Sequence, residues 1–276
     1  MRSTFTWSLV LACLATCARA SAGADAGAKP PPSKPTGPPT TRPPSLLGAW
    51  DVEQVAVDGQ DQIHWGYRPN DPQYLYRALF IEGNDIRFNG SNLHCTQERW
   101  VPQSITWARL LAKGFPRPPG GGRKIAPTVD DFELRVSPAA SVTAYQICQA
   151  MSGKAVFPAG LWVAVMAPDK IALRIDSSGL FILSRRAPGA QPRASFACSK
   201  AASPTEKAIC GNYELSAWDR SVAAAWRDVT QRKPSDDLLA SQKEWLKKRD
   251  ACGANASCLE EKMFGRVEDL VRQTNW

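Results

Sequence analysis

Sulfur carries the most reactive chemistry in this 276-residue chain. Cys13 and Cys17 lie near the N-terminus, and Cys95, Cys148, Cys198, Cys210, Cys252 and Cys258 follow. A thiolate can ligate a metal, act as a nucleophile or pair oxidatively. Zinc sites prefer Cys-x2-4-Cys pairs with histidine close by. Here the later cysteines lack that spacing, and the chain has only His64 and His94. His94 adjoins Cys95, but a Cys95 held in a disulfide leaves no thiolate for a Cys–His pair. Six cysteines beyond the N-terminal segment suit three disulfides. Asp130-Asp131 has the chemistry of glycosidase carboxylates, yet it follows a loop and reads as an exposed acidic turn. No Gly-x-Ser-x-Gly, His-Glu-x2-His or phosphate-binding loop occurs. No catalytic residue, metal site or cofactor is therefore expected.

Disulfides need an oxidising compartment, and the N-terminus supplies a route to one. Met1-Arg2-Ser3, an apolar run from Phe5 to Cys17, and Ala18-Arg19-Ala20 form a signal-peptide pattern over residues 1–20. Cleavage after Ala20 would remove Cys13 and Cys17. The run falls short of the about 20 apolar residues that span a bilayer, and no later stretch supplies a transmembrane segment. A periplasmic or secreted protein follows. Leu14-Ala15-Thr16-Cys17 also resembles a lipobox, so the alternative is a lipoprotein tethered through Cys17. Residues 21–45 read as a disordered linker, with eight prolines between Lys29 and Pro44. Such a segment favours polyproline II and would reach roughly 75 Å.

Over residues 46–186 the apolar period is two. Ile86 and Phe88 alternate with Asp85, Arg87 and Asn89. Phe132, Leu134 and Val136 alternate with Glu133 and Arg135, and Ile171, Leu173 and Ile175 with Ala172, Arg174 and Asp176. This pattern predicts a sheet with one wet face. Trp50–Val57, Ala78–Ile81, Val142–Cys148, Leu161–Met166 and Leu180–Ser184 are further strands, giving about eight in a small closed barrel or a sandwich. Ile105–Lys113 reads as a short helix. Pro116–Lys124 reads as an exposed loop whose Arg117, Arg123 and Lys124 are placed to meet an anion. Cys95 and Cys148, alone in this segment, are expected to pair. Leu47-Gly48-Ala49-Trp50 resembles the Gly-x-Trp start of lipocalin-like barrels, which implies that Trp50 plugs one barrel end.

Residues 187–194 form a linker by composition, after which the period becomes 3.6 and a helical domain spans 195–276. Ser203-Pro204-Thr205-Glu206 is a capping box with Pro at the first helical position. Asn212 caps a second helix that buries Leu215, Trp218, Val222, Ala225, Trp226 and Val229. Lys233-Pro234 ends it, and Ser235 caps a third helix with Leu238, Gln242, Trp245, Arg249 and Cys252 on one face. Ser257-x-x-Glu260 reads as the capping box of a fourth helix. The short Pro turn predicts antiparallel second and third helices, gathering Cys198, Cys210, Cys252 and Cys258 at one end. Local pairing, Cys198–Cys210 with Cys252–Cys258, and a crossed Cys210–Cys252 bridge both remain open. So small a bundle has a thin core and needs staples. Arg249 and Asp250 are placed for ion pairs with Asp219 or Arg220.

The order Phe196-x-Cys198, Pro204-x-Glu206-Lys207-x-Ile209-Cys210, Asp219-Arg220, Gln242-x2-Trp245-Leu246, Arg249-Asp250-x-Cys252 and Cys258-Leu259 resembles the LprI-type lysozyme-inhibitor family. The resemblance implies an exported envelope protein that blocks a muramidase by contact, with lysozyme or another envelope protein as partner. Trp245, Arg249 and Asp250 are expected to serve structure within that pattern. Charge qualifies the picture. The chain carries a formal +8, residues 195–276 hold 13 basic and 12 acidic residues, and residues 46–194 hold 16 and 13. Long-range attraction to a basic lysozyme would be weak or repulsive, so inhibition needs a contact specific in shape. The basic surplus equally suits anionic cell-wall polymer, whereas an exported chain without a basic stripe excludes nucleic acid. The expectation is an α+β multidomain protein: a lipocalin-like antiparallel β-barrel, then a small disulfide-stapled α-helical domain. It is a binding protein and not an enzyme. The alternatives are a small-ligand carrier using the barrel interior and a cell-wall hydrolase unmarked by motifs.

Overall fold

The computed structural model describes residues 43–60, 68–97, 100–116, 126–148, 160–177 and 179–274. The leader with Cys17, the proline-rich segment up to residue 42, His64, Arg117, Arg123 and Lys124 lie outside the described residues. Nine strands are described: β1 (Gly48–Ala56), β2 (Ala78–Glu82), β3 (Asp85–Phe88), β4 (Leu93–Thr96), β5 (Pro102–Thr106), β6 (Ser141–Gln146), β7 (Trp162–Ala167), β8 (Lys170–Arg174) and β9 (Leu180–Arg185). All pairs are antiparallel, in the order β4-β3-β2-β1-β9-β8-β7-β6-β5. This meander would close if β4 met β5. Among the described residues no ladder joins them, and the expected antiparallel barrel is a curled half-barrel followed by helices. Pro102, which opens β5, has no N–H to give to a ladder.

Side chains span that seam. Cys95 of β4 is bonded to Cys148, just beyond β6. The Gln97 amide donates to the Gln146 carbonyl at 3.1 Å and accepts from the Cys148 N–H at 2.9 Å. Trp100, 1 % exposed, meets Tyr145 edge-on at 5.9 Å. Edge strand β4 is thus tied covalently to the end of β6, beyond the reach of β5.

The wet face expected for the later strands is absent. Phe181 and Leu183 join Trp50, Leu79 and Phe88 in one cluster, while Leu180 and Ile182 join Trp162 and Ala172 in another. The second cluster is covered by helix α1 (Trp107–Gly114) and by Val129, Phe132 and Leu134. Ala172 and Arg174, expected on the wet face, are buried. Phe132–Val136 is not a strand, although its alternation marks the buried side chains. Glu133 adopts φ of 52°, and Leu134 N–H bonds the Val129 carbonyl, so the segment turns over the sheet. Strands β4 and β5 escaped the sequence pattern, β5 because it is mostly exposed.

The remaining helices are α2 (Pro204–Gly211), α3 (Tyr213–Arg232), α4 (Asp236–Asp250) and α5 (Ala256–Thr274). Ser203 and Glu206 form the reciprocal capping box, and Asn212 and Ser235 cap α3 and α4. At α5 the cap is Asn255, whose Oδ1 accepts from Cys258 N–H at 3.0 Å. Ser257 lies already inside the helix, two positions too late to cap it. The disulfides are local: Cys198–Cys210 and Cys252–Cys258. Thr205 Oγ1 donates to the carbonyls of Gly253 at 3.0 Å and Asp250 at 3.4 Å, tying the two stapled flanks together. Both α3 and α4 pack against α5.

Arginine–aromatic stacks join these helices to the sheet. The Arg77 guanidinium lies 3.6 Å from the Trp218 ring centre, Arg186 lies 4.1 Å from Tyr213, and Arg220 lies 4.1 Å from Tyr76. Arg68 pairs with Asp228 of α3 and donates to Thr274 of α5 at 3.0 Å. Ser221 Oγ donates to the Leu75 carbonyl at 3.2 Å.

Candidate functional site

Helix α5 uses two faces. Leu259, Met263, Val267 and Leu270, at steps of three and four, are fully buried in the helical core. Ser257, Glu260, Glu261, Phe264 and Glu268 form a second stripe and line a cavity of about 590 Å³. Trp218 of α3 lines it too, and the sheet contributes Tyr74 and the Asn89–Asn92 turn between β3 and β4. Phe264 is 43 % exposed and meets Trp218 edge-on at 5.5 Å. The ring thus rests one edge on Trp218 and leaves much of its face to solvent beside the cleft.

Behind the Trp218 wall sits Arg77, with no exposed surface. Its Nη2 donates to Ser221 Oγ at 3.2 Å, while Nε and Nη1 have no hydrogen-bond partner. Burial pulls its pKa from 12.5 down to about 9, against the nearby Glu214 and Glu260 carboxylates, which raise it. It is still a cation at neutral pH, held by a π-face and by longer-range charge. Gly90 permits this arrangement. A Cβ there would come within 2.6 Å of the Phe88 ring and 3.0 Å of Arg77 Cγ, so only glycine lets the turn lie down on both.

Glu260 is shifted the other way. Burial raises its carboxyl pKa first, the Glu214 carboxylate adds to this, and Trp218 and Arg77 pull it back. Glu214 also accepts from Asn89 Nδ2 at 3.3 Å, linking the turn to the first residues of α3. Carboxylates, amide groups and an open aromatic ring therefore share one cleft. Such a surface offers acceptors and a π-face, which is the chemistry of gripping a donor or a cation.

The residues singled out by sequence lie elsewhere. Trp50 is fully buried, its Nε1 donating to the Leu46 carbonyl at 3.0 Å, with Arg185 stacked 4.0 Å from its ring centre. Trp245 is half-buried on α4 and donates to the Lys262 carbonyl at 3.1 Å. Arg249 reaches Asp250 at 2.7 Å and Asp219 at 4.0 Å, and Asp219 accepts from Ser195 N–H at 2.6 Å. These groups brace α3, α4 and the module's first residues against each other and are not among the described residues that line the cleft. His94 bonds Asp85 at 2.7 Å. Asp131 accepts from Thr128 N–H at 2.8 Å, a turn contact. On the Trp50 face of the sheet, Phe181 packs 5.4 Å from both Tyr74 and Phe88. Sequence reasoning placed Trp218 in the core and passed over Phe264, whose position off the Leu259–Met263–Val267 face was the available signal.

No helix of the described residues is long and apolar enough to cross a membrane. No curated protein and no solved structure matches the chain. One family model does, over the segment holding both local disulfides and the helical half of the cleft lining. Residues 198–273 match the family described as lysozyme inhibitor LprI, so the C-terminal helices of this chain are an LprI-type domain.

Proposed function

We propose that this protein is an exported lysozyme-inhibitor-like binder that acts by protein–protein contact and performs no reaction of its own. The observation that carries the reading is the LprI family match over residues 198–273. Three disulfides, which persist in oxidising compartments, support a place outside the cytoplasm, in the periplasm or beyond it. The cleft on α5 is the surface best shaped to hold a partner, because it combines an open aromatic ring with polar groups on a braced scaffold.

The full exported chain should slow lysis of cell-wall suspensions by a basic lysozyme at near-stoichiometric ratio. Undiminished lysis at large molar excess overturns the reading. Intact-mass measurement of exported material tests the compartment. A chain beginning at Ser21 with three disulfides supports export by cleavage, and a lipid adduct on Cys17 supports the tethered form.

A further inference from the structure

The α5 cleft has a marked charge. Its described lining includes Glu260, Glu261 and Glu268 and no lysine, arginine or histidine, within a chain whose formal charge is +8; Glu261 is paired with Lys262 at 3.2 Å, which leaves Glu260 and Glu268 as the acids on offer. Phe264 stands open beside these carboxylates. Among the described residues no group of His, Cys, Asp and Glu is arranged to hold a metal ion. The carboxylates are spread along a helical stripe and not gathered at a point, which suits an extended cation carried on an aliphatic stem. The stem would lie on Phe264, and the head would reach the carboxylates.

The fold already contains one such arrangement. Arg77 lies against Trp218 from the inside, within reach of the Glu214 and Glu260 charges. Phe264 and the outer carboxylates offer the same combination of π-face and anion to a side chain arriving from outside. A second cavity, of about 730 Å³, lies beside the α3–α4 turn, and both of its arginines have partners within the fold. There Arg266 donates to Gln242 and Ser241, and Arg272 pairs with Asp269.

We propose that the α5 cleft receives an arginine or lysine side chain of the protein partner, gripped between Phe264 and the Glu260 and Glu268 carboxylates. This rests on the reading of the chain as a protein binder and names the chemistry of its contact. It also answers the charge difficulty: a net basic chain recognises a basic protein through one acidic, aromatic cleft, so attraction is local and specific.

Two measurements on the full chain separate the contact from the function. Titration calorimetry with a basic lysozyme compares the native protein with Glu260→Gln/Glu268→Gln and with Phe264→Ala. Circular dichroism melts check that each variant is folded, and Phe264→Ala alters an exposed ring. NMR follows the Trp218 indole N–H and the Phe264 amide while N-acetylarginine amide, or N-acetylnorleucine amide as neutral control, is added. The expected result is at least tenfold weaker lysozyme binding in both variants. Shifts at Trp218 and Phe264 should appear with the arginine probe alone and vanish in the double Gln variant. Lysozyme binding that is undiminished in both variants overturns the proposal while leaving inhibition intact. If lysozyme does not bind at all, the inhibitor reading fails and the arginine probe decides. Cleft shifts then sustain the cationic site, and their absence overturns it.

Discussion

The sheet and the helical module are stabilised over different distances along the chain. In the sheet, β1 pairs with β9 and Trp50 stands opposite Arg185, contacts that exist only once the whole segment is in place. Its disulfide spans 53 residues and ties edge strand β4 to the end of β6. In the helical module each helix is started by a side chain within three residues, and the disulfides span 12 and 6. The comparison teaches that the two halves use sulfur differently. One bond ties an edge strand to a distant one, and two pin short flanks that a thin core leaves free.

That contrast can be broken by measurement. The largest expected effect is Phe181→Ala, at about 3–5 kcal/mol, because the ring lies between Tyr74 and Phe88 with 1 % exposure. Urea unfolding followed by tryptophan fluorescence should show it, and a loss below about 1 kcal/mol would mean that this face of the sheet is not the core described. Next come the disulfides, replaced pairwise by serine. Chain entropy predicts losses of about 4 kcal/mol for Cys95–Cys148, about 3 for Cys198–Cys210 and about 2 for Cys252–Cys258. The reverse order would show that the seam is held without its sulfur.

The caps give smaller effects. Ser203→Ala and Asn255→Ala should each cost about 1 kcal/mol, whereas Ser257→Ala should stay within about 0.5. Equal losses at Asn255 and Ser257 would contradict the start of α5. Smallest is Glu260→Gln. The folded-state carboxyl is raised above 4.5, so the folded protein binds that proton more tightly than the unfolded chain. The stability this confers is complete below about pH 4.5 and is lost as pH rises through the raised value. The Gln variant should therefore melt slightly higher than native at pH 7, by about 1–2 °C at most given partial solvent screening, and equally at pH 4. A lower melting point at pH 7 would place an ion pair on Glu260. Weaker partner binding together with higher stability would mark the residue as kept for contact.

Local chemistry was readable in advance. Ser203 with Glu206, Asn212 and Ser235 cap the helices that their types and spacing predict. Most strands, such as Leu180–Arg185, appear where a short apolar run announces them. Alternation misled at Phe132–Val136, where the buried residues are right and the backbone turns instead of pairing. It also missed β5, because Pro102, Gln103 and Ser104 carry no apolar signal and the strand exists only through pairing with β6. The cleft was hidden for a related reason. Glu260 and Phe264 look like an ordinary solvated face until the Asn89–Asn92 turn is laid opposite them.

Sequence alone determined the helix boundaries within a residue or two, the apolar faces and the resemblance to the LprI family. Those depend on interactions between residues a few positions apart, which composition and spacing encode. Tertiary structure alone decided the disulfide pairing in the helical module, the open seam of the sheet, the burial of both faces of its later strands and the meeting of α3, α5 and the β3–β4 turn around one acidic, aromatic cleft. Each depends on contacts between distant segments, such as Arg77 on Trp218, whose energy comes from burial and geometry that no local pattern carries.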